Sequence, residues 1–178
     1  MARFTTTVRT DDVFDADPAD VWSVMQDPDA LADLAPTVAS ITTDGDRWCW
    51  RLVGISALGV SAAPSFTERM RYDHDDRRID FAHDPPAGKS EAAGASGTYH
   101  LREVDAGTYV AIELTAHVDL PLPSMMGGAV RRVMDRAIVL GGQRFADNLL
   151  RHLGVTESRG MEVVAHDVPF PRTPDRTP

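Results

Sequence analysis

From Ser124 to Leu153, apolar residues recur at Met126, Val130, Val133, Met134, Ala137, Ile138, Gly141, Phe145, Leu149 and Leu153. Steps of three and four place them on one side of an α-helix. Arg131, Arg132, Asp135, Arg136, Arg144, Asp147 and Arg151 fall between them and make a charged opposite face. Ser124 is the expected N-cap and Gly154 the expected C-terminal stop. Thirty helical residues would reach about 45 Å at 1.5 Å per residue. A single apolar stripe of that length needs a whole sheet to lie on. Gly141-Gly142 interrupts it, at a cost of about 1–2 kcal/mol relative to alanine. Two readings stand: a kink or close packing on a neighbour, or room for a ligand beside the backbone.

The rest of the composition narrows the class. A chain of 178 residues supports one domain with a substantial core. No run of eighteen apolar residues exists, so no transmembrane segment is expected. Met1-Ala2-Arg3-Phe4-Thr5 has no apolar signal region, and the single cysteine, Cys49, fits a reducing cytosol. Between Trp48 and Trp50, Cys49 reads as a packing residue rather than a nucleophile. The net charge of −9 comes from 21 Asp and 6 Glu set against 17 Arg and one lysine, Lys89. That balance describes a host genome or its salt more than a chemistry. It argues against nucleic acid, because phosphate contacts need a basic stripe. It leaves room for transient contact with a membrane.

Ahead of the long helix the pattern is mostly of strands. Phe4, Thr6, Val8 and Thr10 alternate with polar neighbours as a first strand, interrupted at Asp11-Asp12 and able to resume at Val13-Phe14. Asp17-Pro18-Ala19-Asp20 and Asp27-Pro28-Asp29 are two successive helix starts, each an Asp cap followed by Pro at the first helical position. The second helix stops before Pro36. Val38 to Thr43 and Arg47 to Ile55 flank the hairpin signal Asp44-Gly45-Asp46. Leu58-Gly59 turns the chain into a strand with Phe66, Met70 and Tyr72 on one face. Beyond a polar turn at Asp73 to Asp76, Ile79, Phe81 and His83 alternate with Asp80 and Ala82. Asp84 to Gly97, rich in Pro, Gly, Ala and Ser, reads as a mobile loop. Thr98 to Val104 and Thr108 to Leu120 flank Asp105-Ala106-Gly107 as a last hairpin, its second strand apolar at every other residue from Val110 to Leu120. Residues 1–154 would form one domain. Residues 155–178 would form an extension, with Met161 to Ala165 able to add an edge strand and the Pro-rich end disordered.

The expected architecture is α+β: a curved antiparallel sheet of about seven strands wrapped on one long C-terminal helix, with two short helices after strand 1. A curved sheet that grips such a helix tends to leave a cleft suited to an apolar ligand. In this order the sequence resembles the START/polyketide cyclase (SRPBCC) superfamily of helix-grip proteins. It is most similar there to the group holding the G subunit of carbon monoxide dehydrogenase and polyketide cyclase/dehydrase-like proteins. The likeness rests on Asp17 to Trp22, Asp27 to Ala32 with Pro36, Gly94 with Ser96-Gly97, Asp105 to Thr108, and Phe145 to Leu153. It covers residues 3–154. Pro36-Thr37 departs from the Pro-Gly usual among relatives of that dehydrogenase component. The resemblance implies an internal cavity for lipids, polyketides, quinone-like or other apolar molecules. It transfers no active site, since the superfamily shares no catalytic set.

Strand parity puts Glu68 on the face of Phe66, Met70 and Tyr72. If that face turns inward, an acid sits in an apolar cavity, where desolvation raises its pKa and suits it to acid/base work or to holding a polar head. A rim position is the plainer alternative. His83, on the face of Ile79 and Phe81, is the second acid/base candidate and equally a rim residue. Trp48 and Trp50 could stack a flat ligand or simply pack. The expected lining adds Phe66, Met70, Phe81, Tyr99, Ile112 and Leu114 from the sheet. Met134, Ile138, Gly141 and Phe145 would line it from the helix. His100, Arg102 and His117 are expected to face solvent. Gly88-Lys89-Ser90 lacks the leading glycine of a phosphate loop, the six histidines show no metal-ligand spacing, and no serine sits in a nucleophile elbow. No metal or cofactor is expected. The first functional reading is an apolar-ligand carrier, the second a cyclase or dehydratase using Glu68 or His83, the third a protein-binding module.

Overall fold

The computed structural model describes residues 1–155, so the expected C-terminal extension lies outside the described residues. Its order is β1 (Ala2–Phe14), α1 (Pro18–Met25), α2 (Pro28–Leu34), β2 (Val38–Asp44), β3 (Arg47–Leu52), β4 (Ile55–Ala57), β5 (Val60–Ala62), β6 (Ser65–Asp73), β7 (Arg78–His83), β8 (Ala93–Val104), β9 (Gly107–Leu120) and, after a 3-10 turn at Ser124–Met126, α3 (Gly127–His152). Seven strands form one antiparallel sheet in the order β1-β9-β8-β7-β6-β3-β2, and β4 and β5 pair as a separate small hairpin. This is the expected α+β helix-grip arrangement.

Local chemistry explains the elements. Asp17 accepts from the Ala19 N–H, and Asp27 accepts from Asp29 and Ala30, so each short helix begins on an Asp cap with proline in its first turn. β1 is unbroken: Asp11 and Asp12 stay in register opposite Ala111 and Val110. Asp11 accepts from the Tyr109 hydroxyl at 2.9 Å and Asp12 from the Val13 N–H at 2.7 Å, so neither acid has to leave the ladder. β8 begins at Ala93, five residues before the expected Thr98, and the preceding loop is correspondingly shorter. Its glycines mark close approach rather than a loop. A β-carbon on Gly97 would lie 1.9 Å from the Glu113 carbonyl oxygen, and one on Gly94 would lie 2.4 Å from His117 Cε1 and 2.5 Å from His83 Cγ.

The long helix has the expected stop but not the expected start. Gly154 takes φ +76°, its N–H bonds the Arg151 carbonyl, and the Val155 N–H bonds the Leu150 carbonyl. That is the Schellman pattern. Ser124 instead opens the 3-10 turn, and Met126 occupies the N-cap position of α3 with no side-chain cap.

α3 crosses from one edge of the sheet to the other. Its start packs on β1, where Gly127 adjoins Phe4 and Thr6 bonds Asp135. Its later turns meet the α2–β2 connection: a Gly141 β-carbon would lie 3.0 Å from Thr37 Cγ2, and Asn148 Nδ2 donates to the Leu34 carbonyl at 2.7 Å. Ala146, Leu149 and Leu150 join the main core with Phe14, Val21, Met25 and Leu101. Phe4, Val8 and Val130 are buried outside that cluster. Both ends of the helix are therefore anchored.

Candidate functional site

Between those two anchors the helix is loosely covered. Met134, Ile138 and Phe145 are half-buried. On the strands facing them, Ile112, Leu114, Ala116 and Val118 share one face of β9 and are half-buried as well. Apolar residues that face a helix from mid-sheet are normally closed off by it. Here both surfaces retain accessible area. Tyr99 shows the same condition: it is deep enough for desolvation to push its phenol well above the ordinary value, yet its surface is only half-buried.

The expected lining divides into two parts. Trp48, Phe66, Met70 and Phe81 are 5–8 % exposed and form a packed floor. Trp50, Tyr99, Ile112 and Leu114 are half-buried. Phe81 stacks on Tyr99 with centroids 5.2 Å apart, and Trp48 tilts against Trp50 at 6.2 Å. Gly141 is accounted for by close packing on Thr37. Cys49 faces away from the two tryptophans and is exposed, so it does not pack.

Glu68 lies in the floor at 4 % exposure, opposite Trp48 across the β3–β6 ladder. Burial pushes its carboxyl up to about 8, because the charged form would lose its hydration with no cation to replace it. The Trp50 indole N–H draws that value back slightly but does not reach hydrogen-bonding geometry, since Nε1 is buried without a partner. The Tyr72 hydroxyl is also buried without a partner. Tyr99 is raised chiefly by burial and further by the Glu68 charge. Glu68 thus lies buried among apolar side chains, and two buried polar groups of the same aromatic set, Trp50 Nε1 and the Tyr72 hydroxyl, lack partners.

His83 belongs to a different cluster. It pairs with Glu68 along the ladder. Its ring, however, lies against His117, with centroids 4.9 Å apart, and against Gly94. His117 points away from the core-facing Ala116 and Val118, but it is half-buried with Nε2 lacking a partner, not in open solvent as its parity suggests. Burial first, then Arg3 and His83, lowers its pKa. His83 Nε2 bonds Glu91 at 2.9 Å. Glu91 also accepts from the Thr67 N–H and hydroxyl, both at 2.8 Å, and so ties the loop before β8 to β6. Sequence reasoning missed Glu91 because it lies in a Gly/Ala-rich segment; its being the one acid among small residues from 86 to 97 was the available signal.

Elsewhere, a shallow depression of about 260 Å3 opens beside the β4–β5 hairpin, lined by Gly54, Ser56, Ser61, Ala62 and Ala63. None of the expected lining residues borders it. Among the described residues, no group of three or more His, Cys, Asp or Glu side chains is placed to hold a metal. No helix there is long and apolar enough to cross a membrane.

Comparison with known proteins agrees with this fold. The protein TTHA0849 from Thermus thermophilus has a similar structure, with a TM-score of 0.64 at 20 % identity over 86 % of this chain and 100 % of that one. The ZhuI aromatase/cyclase from Streptomyces sp. R1128 gives a TM-score of 0.55 at 16 % identity, over 86 % of this chain and 93 % of its own. Protein Ms6760 from Mycobacterium smegmatis gives 0.57 at 15 % identity, over 85 % and 92 %. At these identities the likeness carries the fold alone. No curated protein matches the chain. A family profile does match, over residues 1–153, and its description joins ligand-handling with cyclase-type roles. The chain belongs to the polyketide cyclase / dehydrase and lipid transport family.

Proposed function

We propose that the chain binds an apolar small molecule, such as a lipid, a polyketide or a quinone-like compound, between the sheet and α3, as a carrier or sequestering protein. One observation carries this reading: apolar side chains on both sides of the cleft, Ile112 and Leu114 on β9 and Met134 and Ile138 on α3, keep accessible surface while the two ends of the helix are buried. Such surface is costly in water, at about 25 cal/mol per Å2, and an apolar guest removes that cost. The single cysteine suits a cytosolic setting. Native mass spectrometry of the purified protein tests the proposal. A co-purifying apolar molecule, lost on Ile138→Trp, supports it; an empty protein that takes up no apolar probe overturns it in favour of a protein-binding surface.

Glu68 favours a second reading, a cyclase or dehydratase. A buried acid held up to about 8 is protonated near neutrality and suited to proton transfer. His83 is the weaker acid/base candidate, being engaged with Glu91. Glu68→Ala separates the readings: an enzyme loses turnover, whereas a carrier keeps its affinity for an apolar ligand.

A further inference from the structure

Charge is segregated along this chain. No Lys, Arg or His stands between Arg9 and Arg47, a stretch that holds ten aspartates. Six of them, Asp15, Asp17, Asp20, Asp27, Asp29 and Asp33, are exposed on and around α1 and α2. None of the six joins an ion pair among the described residues. α3 reverses the balance, with five arginines against Asp135 and Asp147, and Asp135 is engaged by Thr6. Arg131, Arg132, Arg136 and Arg144 are exposed, and among the described residues none of them meets a carboxylate. Arginines on the sheet behave differently: Arg3, Arg47, Arg69 and Arg78 each hold an aspartate at 2.6–2.9 Å. Met125, 88 % exposed, and Leu140, 42 % exposed, flank Arg131, Arg132 and Arg136. Arginine and methionine side by side suit a protein interface.

The two charged surfaces do not meet within one copy. Arg131, Arg132 and Arg136 lie in the half of α3 that packs on β1, whereas the α2–β2 connection meets the later turns, at Thr37 beside Gly141 and Leu34 beside Asn148. Their attraction is therefore available only between molecules. A flat polyanion, such as an anionic bilayer, laid along α3 would run on to Asp29 and Asp33 of the adjoining α2 and be repelled. The acidic helices of another copy are a bounded negative surface of matching reach. Residues 131 to 144 extend about 20 Å along the helix, and α1 and α2 extend about 12 Å and 10 Å. We propose that the outer face of α3 docks on the α1–α2 surface of a second copy of this chain, arginine against aspartate. The contact joins unlike faces and is heterologous.

Sedimentation velocity of the full chain tests it in 0.1 M and 1 M sodium chloride, between which the screening length falls from about 10 Å to about 3 Å. The parent should associate in low salt, and high salt should weaken that association about ten-fold or more. Arg131→Gln/Arg132→Gln/Arg136→Gln should weaken it to a similar extent. So should Asp20→Asn/Asp29→Asn/Asp33→Asn, which spares the capping Asp17 and Asp27. Mixed together, the two triple variants should form a one-to-one pair, because each keeps the face that the other has lost. Variants that had merely loosened their fold would give no such rescue. Lysine at the same three arginine positions should preserve the association, since the charge remains. A parent that stays monomeric in low salt overturns the proposal. Association that ignores salt and both triple variants overturns it too, as does a mixture that fails to pair. A monomeric parent that floats with phosphatidylserine vesicles, and is released by the arginine variant, overturns it in favour of a bilayer.

Discussion

Gly141 and Thr37 meet where α3 passes the α2–β2 connection, and a β-carbon on Gly141 would come within 3.0 Å of Thr37 Cγ2. Gly142, next in sequence, has nothing within 4 Å of the same position. Two adjacent helical glycines thus have different causes. Gly142→Ala should raise stability by about 0.5–1 kcal/mol through helix propensity and a less disordered unfolded chain. Gly141→Ala should gain little alone and recover the benefit with Thr37→Ala. Urea titrations of the double-mutant cycle should give a coupling above about 0.5 kcal/mol. Equal gains from both single variants would contradict the close contact.

Glu68 makes stability depend on pH in a stated direction. Its folded value, about 8, lies above the ordinary value of 4.5, so the folded state holds a proton that the unfolded state releases. Its contribution is fully present below pH 4.5 and is lost as pH rises to about 8, about 5 kcal/mol in all. Glu68→Gln should remove this slope, so the variant gains on the parent steadily from pH 5 to pH 8. Parallel denaturation curves at four pH values measure the difference. A constant offset would mean that Glu68 is hydrated.

The two β8 glycines should respond differently to alanine. Gly94→Ala drives a methyl into the rings of His83 and His117, costing about 1–3 kcal/mol. His117→Ala in the same chain should restore part of that loss. Gly97→Ala strikes the Glu113 backbone carbonyl, which no side-chain change can move aside, so a second substitution should not rescue it. Thermal melts of the single and double variants distinguish the two cases.

Glu91 fastens the loop before β8. Ionised, it accepts from the Thr67 N–H and hydroxyl and from His83. Those bonds hold its pKa below the ordinary value despite partial burial. Its contribution is therefore present above pH 4.5 and fades as pH falls through the lowered folded value. Glu91→Ala should cost about 1–2 kcal/mol and speed amide exchange at Thr67. Unchanged exchange there would show that the loop holds without the carboxylate.

Much of this arrangement was legible from residue types. The Asp-Pro caps, the period-two run from Val110 to Leu120 and the stripe on α3 each follow from local periodicity and named the right elements. Parity put Glu68 on the face of Phe66 and Met70 but left open whether that face lay inside or on a rim; the structure buries it. What local chemistry could not supply was anything decided across the sheet. Asp11-Asp12 looked like a break because acids are poor strand formers, yet Tyr109 and the Val13 amide accommodate them. Gly94 and Gly97 looked like loop residues because their reason, the approach of His83, His117 and Glu113, lies on other strands. His83 shared parity with Phe81, but where β7 stops pairing with β8 its ring joins His117 instead.

The two fastenings of α3 are unequal. The later one is stapled by a Schellman turn, by Asn148 on Leu34 and by Leu149 and Leu150 in the main cluster, whereas the earlier one starts without a side-chain cap and rests on a small separate cluster. Local opening begins where the fewest interactions must be lost. Amide exchange should accordingly be faster in the first turn of α3, which has no side-chain cap, than at Leu149 and Leu150. Phe4 and Val130, buried apart from the main cluster, then set how tightly that first turn is held to β1, independently of the rest of the core.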